Sequence, residues 1–180
     1  DTDEGPRSDS SVDALAGLRP VFAKNGCVTA GNASQLSDGA AAVVLMSRRK
    51  AEDLGIQPLA RYVASANVAL EPLWLFEAPV PTIQQLLAKT GTTLADYDLL
   101  EVNEAFASQV VADGKLLGWD DEKVNVNGGA IALGHPLGCS GARVMTTLLH
   151  ELRRRHGKRG IAAACLGGGE AFAVSVERLA

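Results

Sequence analysis

The chain has 180 residues, 47% of them hydrophobic and 4% aromatic, with 19 glycines and a formal net charge of −4. That length and apolar content predict one domain, or a domain with part of another, and exclude a disordered chain. Dispersed cations on a mildly acidic chain argue against nucleic acid as a partner, and the glycine-rich, aromatic-poor balance favours an α/β fold with close backbone packing.

Residues 1–11 are polar and carry no hydrophobic period. Leu15 to Phe22, interrupted by Pro20, is irregular, and Gly26, Gly31 and Gly39 around Asn25 and Asn32 signal turns. The continuous apolar run Ala40 to Met46 predicts a strand buried on both faces, and Arg48 to Leu54 predicts a helix stopped by Gly55. Pro58 marks the best domain boundary, after which Leu59 to Ala69 reads as extended. Pro72, Pro79 and Pro81 precede a helical pattern of Ile83, Leu86 and Leu87 that ends at Gly91. The remainder alternates: strand Leu99 to Val102, helix Glu104 to Leu117, short strand Val124 to Asn127, helix Ser140 to His156, then strands Gly160 to Leu166 and Ala171 to Val176. Such alternation predicts a layered sheet with helices against it. The basic run from Arg153 to Arg159 closes the last helix, where cations complement the helix dipole; an anionic phosphate patch is the competing reading.

Cys27, Cys139 and Cys165 have the spacing of neither a zinc site nor a disulfide framework, so a reducing compartment is expected. With no charged-then-apolar leader and no apolar run near the ~20 residues of a membrane span, no membrane association is expected. The compartment would be the cytoplasm in a bacterium, or the mitochondrion or peroxisome in a eukaryote.

Three glycine-linked clusters fall where predicted strands end, the place at which α/β sheets gather ligand-binding side chains. They are Asn103-Glu104-Ala105-Phe106-Ala107, the run from Asn127 to Arg143 that contains Gly134-His135-Pro136, and Cys165-Leu166-Gly167-Gly168-Gly169-Glu170-Ala171. Glycines around His135 expose an imidazole; a structural histidine bonded to backbone, or a phosphate-cradling loop, are the alternatives, the last lacking a Walker lysine and the G-x-G-x-x-G order. Cys165 reads alone as a small inert hydrophobe, or as a thiol left uncovered by glycines whose N–H groups offer an anion hole. Asn103 reads alone as an N-cap for the helix expected at Glu104.

Together with Val28-Thr29-Ala30-Gly31-Asn32-Ala33-Ser34 and Asp38-Gly39-Ala40-Ala41-Ala42, these clusters resemble the thiolase family over essentially the whole chain. The resemblance implies a layered αβαβα architecture: residues 1–34 as the tail of a loop domain, 35–57 as a returning strand–helix of the amino-terminal domain, and 58–180 as the carboxy-terminal domain. It implies catalytic roles for Asn103, His135 and Cys165, with the Gly167 N–H in an oxyanion hole. Ser34 would meet the pantetheine arm of coenzyme A, Ala30, Phe22 and Phe106 would line its tunnel, and Arg7 would approach its nucleotide end.

The activity so implied is acyl-CoA C-acyl transfer: thiolytic cleavage of a 3-ketoacyl-CoA, or Claisen condensation of acetyl-CoA. Coenzyme A and acyl-CoA would be substrates and no cofactor would be covalently bound. The nucleophilic Cys of such enzymes belongs to an amino-terminal half preceding Asp1, so that half is the expected partner, the full-length protein is expected to be a homodimer or homotetramer, and this chain alone is expected to be inactive. A non-catalytic acyl-CoA- or lipid-binding module is the alternative. Two stretches depart from the family pattern: Leu75 to Pro81, and Glu170, which would raise the Cys165 thiol pKa by like-charge repulsion unless it points away.

Overall fold

In the computed structural model, which describes residues 2–179, Ala60–Ala69 (β1), Leu99–Val102 (β2), Arg159–Leu166 (β3) and Glu170–Arg178 (β4) form one sheet in the order β1-β4-β3-β2. β4 runs antiparallel to both β1 and β3, whereas β2 and β3 are parallel. The helices are α1 (Val12–Ala16), α2 (Arg48–Asp53), α3 (Pro79–Thr90), α4 (Ala107–Leu117), α5 (Ala130–Leu133) and α6 (Leu137–Arg154).

Strand alternation divides the sheet into two apolar faces. On one, Leu100, Val102, Ile161, Ala163 and Ala173 pack with Ile83 and Leu86 of α3. On the other, Leu99, Ala162 and Val176 pack with Val144, Leu148 and Leu152 of α6, one residue per turn. β3 is thus covered on both sides, which is why Ile161 to Ala164 is uninterrupted in hydrophobicity. Each fully buried Leu or Ile contributes about 1.5–3 kcal/mol, so these helices are held mainly by what they cover.

Helix ends follow the sequence closely. Gly91, directly after α3, and Gly55, one residue past the Leu54 cap of α2, adopt left-handed backbone at φ 65° and 64°, and Gly118 does the same after α4. Arg154 and Arg155, at the end of α6, both pair with Glu151, so part of the basic run is engaged at the helix terminus where the dipole favours it.

Three expectations are corrected. Ala40 to Met46 is not a strand: no described strand lies beside it, and an extended segment without a neighbour has no ladder to join. Val124 to Asn127 keeps only a single bridge, between Val124 and Leu100. There Asn125 turns to φ 46° and its side-chain amide takes over the pairing, accepting from Val102 N at 2.8 Å and donating to Val102 O at 2.8 Å. The helix expected from Glu104 begins instead at Ala107, with Phe106 as its N-cap. The short helix α1 forms in a stretch whose irregular hydrophobicity gave no sign of it, capped by Ser11 Oγ accepting from Ala14 N.

Among the described residues no helix is long and apolar enough to cross a membrane. Much apolar surface is nonetheless open: Leu36, Val44 and Leu45 are 97%, 80% and 81% exposed. Val43 to Met46 also borders a groove of about 820 Å³ whose other wall is Met145, Leu149, Phe172 and Val174. Apolar surface on this scale drives association. Size-exclusion chromatography at two protein concentrations is expected to show earlier elution at the higher one, and the Val44→Ser, Leu45→Ser double variant should weaken that dependence; a concentration-independent monomer would contradict it.

Candidate functional site

Because β2 and β3 are parallel, their carboxyl ends open on the same edge of the sheet. Asn103 is the first residue beyond β2, its N–H donating to Ala163 O at 2.9 Å, and Cys165 is the last residue but one of β3, with Leu166 between it and the glycine turn. The loop carrying His135 reaches this edge through backbone that side chains would obstruct. A Cβ on Gly129 would lie 2.0 Å from the Glu104 carboxyl carbon, and one on Gly134, at φ 102°, would lie 2.2 Å from Ser37 Oγ. Glu104 ties the loop down, accepting from Asn125 Nδ2 at 2.9 Å and from Ile131 N at 3.1 Å.

The structure brings Asn103 and His135 together, with Nδ2 and Nε2 3.2 Å apart. On the other side of the ring, Nδ1 lies 2.6 Å from Ser140 Oγ. The Ser140 hydroxyl also lies 3.1 Å from Pro136 O, and when it donates there its oxygen accepts from Nδ1–H, the tautomer that turns the Nε2 lone pair toward the Asn103 amide. Burial first, and the Arg143 guanidinium second, hold the ring below its usual pKa, which keeps it in this neutral state.

Asn103 is 1% exposed and its Oδ1 has no hydrogen-bond partner among the described residues. It is not a helix cap, since the helix starts later, so this buried amide has no capping role to explain it.

Cys165 is half-buried, and no hydrogen bond among the described residues joins its sulfur to Asn103 or His135. Burial pushes its thiol pKa up, and Asp113 of α4 pushes it further. The like-charge neighbour is therefore Asp113, whereas Glu170 has an exposed side chain. Asp113 is fully buried, its Oδ2 accepting from Gln109 Nε2 at 2.6 Å while Gln109 Oε1 accepts from Ala105 N at 3.1 Å. Gly167, in the turn after Cys165, has open space around it. Cys139 is buried and Cys27 exposed. Among the described residues no cluster of three or more His, Cys, Asp or Glu is arranged to hold a metal.

The remaining predicted contacts divide in two. Ser34 is pinned beside the Asn103 loop, its N–H donating to Ala105 O at 3.1 Å, while Ala33 bridges Phe106 and Ala107 N donates to Asn32 O at 2.9 Å. The Phe106 ring meets Phe76 edge-on with centroids 5.1 Å apart, so the Leu75 to Pro81 stretch packs against the segment that holds Ser34. Phe22, 77% exposed, Ala30, also exposed, and Arg7, paired with Asp9 at 3.3 Å on the surface, make no side-chain hydrogen bond or ion pair to this group among the described residues. Ser140, Asp113 and Arg143 were given no role by sequence reasoning. Ser140 had a visible signal, lying five residues after His135 in the first turn of a helix; Asp113 had none.

Two profiles of domain families match the chain: "Thiolase, C-terminal domain" over residues 56–178 and "Thiolase, N-terminal domain" over residues 1–49. It is 54% identical over 178 residues to an acetyl-CoA acetyltransferase of Pseudomonas aeruginosa and 51% identical over 179 residues to one of Allochromatium vinosum. In each case 99% of this chain and 45% of the relative are covered, so the chain spans about half the length of the curated relatives it matches. The crystal structure of the Bacillus anthracis acetyl-CoA acetyltransferase superposes with a TM-score of 0.95 at 51% identity, covering 98% of this chain and 45% of that one. That of human mitochondrial 3-ketoacyl-CoA thiolase in complex with CoA does so at 0.92 and 46%, covering 99% and 45%.

The buried acids make stability depend on pH. Burial pushes the carboxyls of Glu101 and Asp113 up to about 7. From about pH 4 to 7 the folded state therefore keeps protons that the unfolded chain has released, and stability falls as pH rises through that window. Above it each carboxyl costs on the order of 3–4 kcal/mol. His135 acts in the opposite sense below its unfolded pKa, where the unfolded state takes up the proton first. Urea denaturation should show Asp113→Asn gaining stability relative to the parent chain between pH 5 and pH 8; a difference that does not change with pH would contradict the assignment.

Proposed function

From the premise that this chain belongs to the thiolase family, we propose that it is the carboxy-terminal portion of an acyl-CoA C-acyltransferase acting on 3-ketoacyl-CoA or acetyl-CoA, and that it supplies the groups that handle protons and oxyanions. The observation that carries this reading is the Asn103–His135–Ser140 chain, lying on the sheet edge toward which the last residues of β3 carry Cys165. In this reading residues 58–180 form the carboxy-terminal domain, 35–57 return from an amino-terminal domain, and 1–34 are the tail of a loop domain. The amino-terminal half brings the nucleophilic thiol, the whole protein is a homodimer or homotetramer, and its compartment is the cytoplasm or, in a eukaryote, the mitochondrion or peroxisome.

The chemistry follows from the protonation states. Nε2 of neutral His135 accepts the proton of the attacking thiol during acylation. The N–H it gains then faces the thioester oxygen as negative charge develops there, with Asn103 beside it, and donors in place before the charge forms lower the barrier. Cys165 exchanges the α-carbon proton: condensation needs it as thiolate, whereas cleavage ends with a protonated Cys165 donating to the enolate that leaves. Burial and Asp113 favour the protonated thiol, the form with which the cleavage direction starts. The Gly167 N–H contributes to the second oxyanion hole. Ser34, Ala30, Phe22 and Phe106 contact the pantetheine arm and Arg7 the nucleotide end, which the free surface around Phe22, Ala30 and Arg7 leaves accessible.

Mixing this chain with an amino-terminal thiolase half that bears the nucleophile should restore acetoacetyl-CoA cleavage, whereas the chain alone should show none. In the restored enzyme, Asn103→Ala is expected to lower kcat about 100-fold and His135→Ala at least as much. Cys165→Ala should block carbon–carbon cleavage, and with it acylation by acetoacetyl-CoA, while leaving acylation of the nucleophile by acetyl-CoA intact. If the reconstituted and uninterrupted proteins both bind coenzyme A by calorimetry but turn nothing over, the chain is a non-catalytic acyl-CoA-binding module instead.

A further inference from the structure

We propose that residues 70–78 form a fixed strap across the site and that Phe76 on this strap, stacked against Phe106, restricts the substrate to short acyl chains, acetoacetyl-CoA in preference to long-chain 3-ketoacyl-CoA. The strand ends put the strap in place. Ala69 of β1 and Leu166 of β3 both pair with Glu170 at the start of β4, and β2 runs parallel to β3. The carboxyl ends of β1, β3 and β2 therefore open on one edge. The chain leaving β1, separated from β2 by β4 and β3, crosses the ends of those strands to reach Phe106.

Both ends of the crossing are anchored. Where it starts, Leu70 N donates to Gly169 O at 2.8 Å, and a Cβ on Gly169 would lie 2.4 Å from Leu70 O, so the strap sits directly on the glycine turn that follows Cys165. Where it finishes, the Phe76 ring meets that of Phe106, on the loop beyond Asn103, at an interplanar angle of 76°, one of the favoured geometries of an aromatic pair. Ala78, fully buried, then leads the chain into α3, its carbonyl accepting from Thr82 Oγ1 at 2.7 Å. Pro72 and Pro79 restrict the backbone on either side of Phe76. A strap held in this way is a wall, not a moving lid.

Strand alternation fixes which side of the site the wall closes. Cys165 is in phase with Ile161 and Ala163 of β3, which pack toward α3, whereas Asn103 is in phase with Leu99 of β2, which packs toward α6. Asn103 and His135 thus approach a bound thioester from the α6 side, and Cys165 approaches from the α3 side, into which the strap descends. Cys165 exchanges the α-carbon proton in the mechanism above, so the acyl group beyond that carbon is bounded on this side by the Phe76–Phe106 pair. Phe76 is pinned by its partner yet 39% exposed, and so presents an apolar face to the space before it. A wall there leaves room for the acetoacetyl group, and each further methylene has to displace the ring or fold back. Misfit of a single methylene in an apolar site discriminates by about 10–200-fold.

The inference rests on the acyl-CoA reading, but its test is a ratio between two substrates, so loss of all turnover counts against that reading and a wrong ratio against this one. The uninterrupted protein is assayed for thiolysis of acetoacetyl-CoA and of 3-ketooctanoyl-CoA. The parent should favour acetoacetyl-CoA in kcat/KM by about 100-fold or more, and Phe76→Ala should shrink that preference about tenfold or more by raising kcat/KM on the longer substrate. Phe76→Leu, which keeps apolar packing against Phe106, should fall between the two and decides if the alanine variant does not fold. Trp74→Ala, on the same strap and 50% exposed, should keep the parent's preference. If neither substrate is turned over, calorimetry with acetyl-CoA and octanoyl-CoA reads the same discrimination: the parent should bind only the first, and Phe76→Ala both. A parent that handles both chain lengths alike, a folded Phe76→Ala or Phe76→Leu with the parent's preference, or a Trp74→Ala that shifts it as far as Phe76→Ala overturns the proposal.

Discussion

Asn103 donates its backbone N–H to Ala163 O as the final rung of the parallel β2–β3 ladder, and this rung constrains the rest of the site. It places the end of β2 two residues short of Cys165 along β3, so an amide and a thiol from distant parts of the sequence emerge on one edge. The ladder is rigid because β3 is buried on both faces, with α3 on one side and α6 on the other. Neither helix touches the chemistry through its core residues. Each instead carries or anchors a loop: α6 presents Ser140 and Arg143 in its first two turns, while its later turns, through Val144, Leu148 and Leu152, fasten it to the sheet.

Local signals were the ones legible in the sequence. Left-handed glycines after α2 and α3 stop those helices at the residue expected, because a φ near +65° is a property of one residue and its neighbours. Ile161 to Ala164 and Ile83, Leu86 announced their elements because both are buried where periodicity says they should be. Ala40 to Met46 failed for the opposite reason: strand formation depends on a partner supplied from elsewhere, which a continuous apolar run does not encode. At Val124 to Asn127 the misreading came from one side chain. Asn125 mimics a strand backbone with its amide, so the segment pairs with β2 without being extended itself.

The site was legible as a set of residues and illegible as an electrostatic environment. Glycine-flanked His135 and the Asn103 loop were visible as motifs, and the structure joins them through a hydrogen bond. Which acid faces Cys165 was not visible, because proximity in sequence favoured Glu170 whereas helix α4 delivers Asp113 across space. The tautomer of His135 was likewise beyond reach, being set by the Ser140 hydroxyl and, through it, by the Pro136 carbonyl.

Three ionisable side chains, Glu101, Asp113 and Arg143, are withdrawn from water with incomplete partners. Apolar residues of similar volume would give a more stable core, since removing such groups from solvent costs several kcal/mol that their pairing does not return. All three flank the groups assigned to proton transfer: Glu101 and Arg143 from the α6 side of the sheet, Asp113 from α4. A core chosen for stability alone would not concentrate its unsatisfied charges on the elements beside one histidine and one cysteine. Their placement is explained if the proton affinities of His135 and Cys165 matter more than the stability forgone, the ring being kept free to accept a proton and the thiol kept ready to give one.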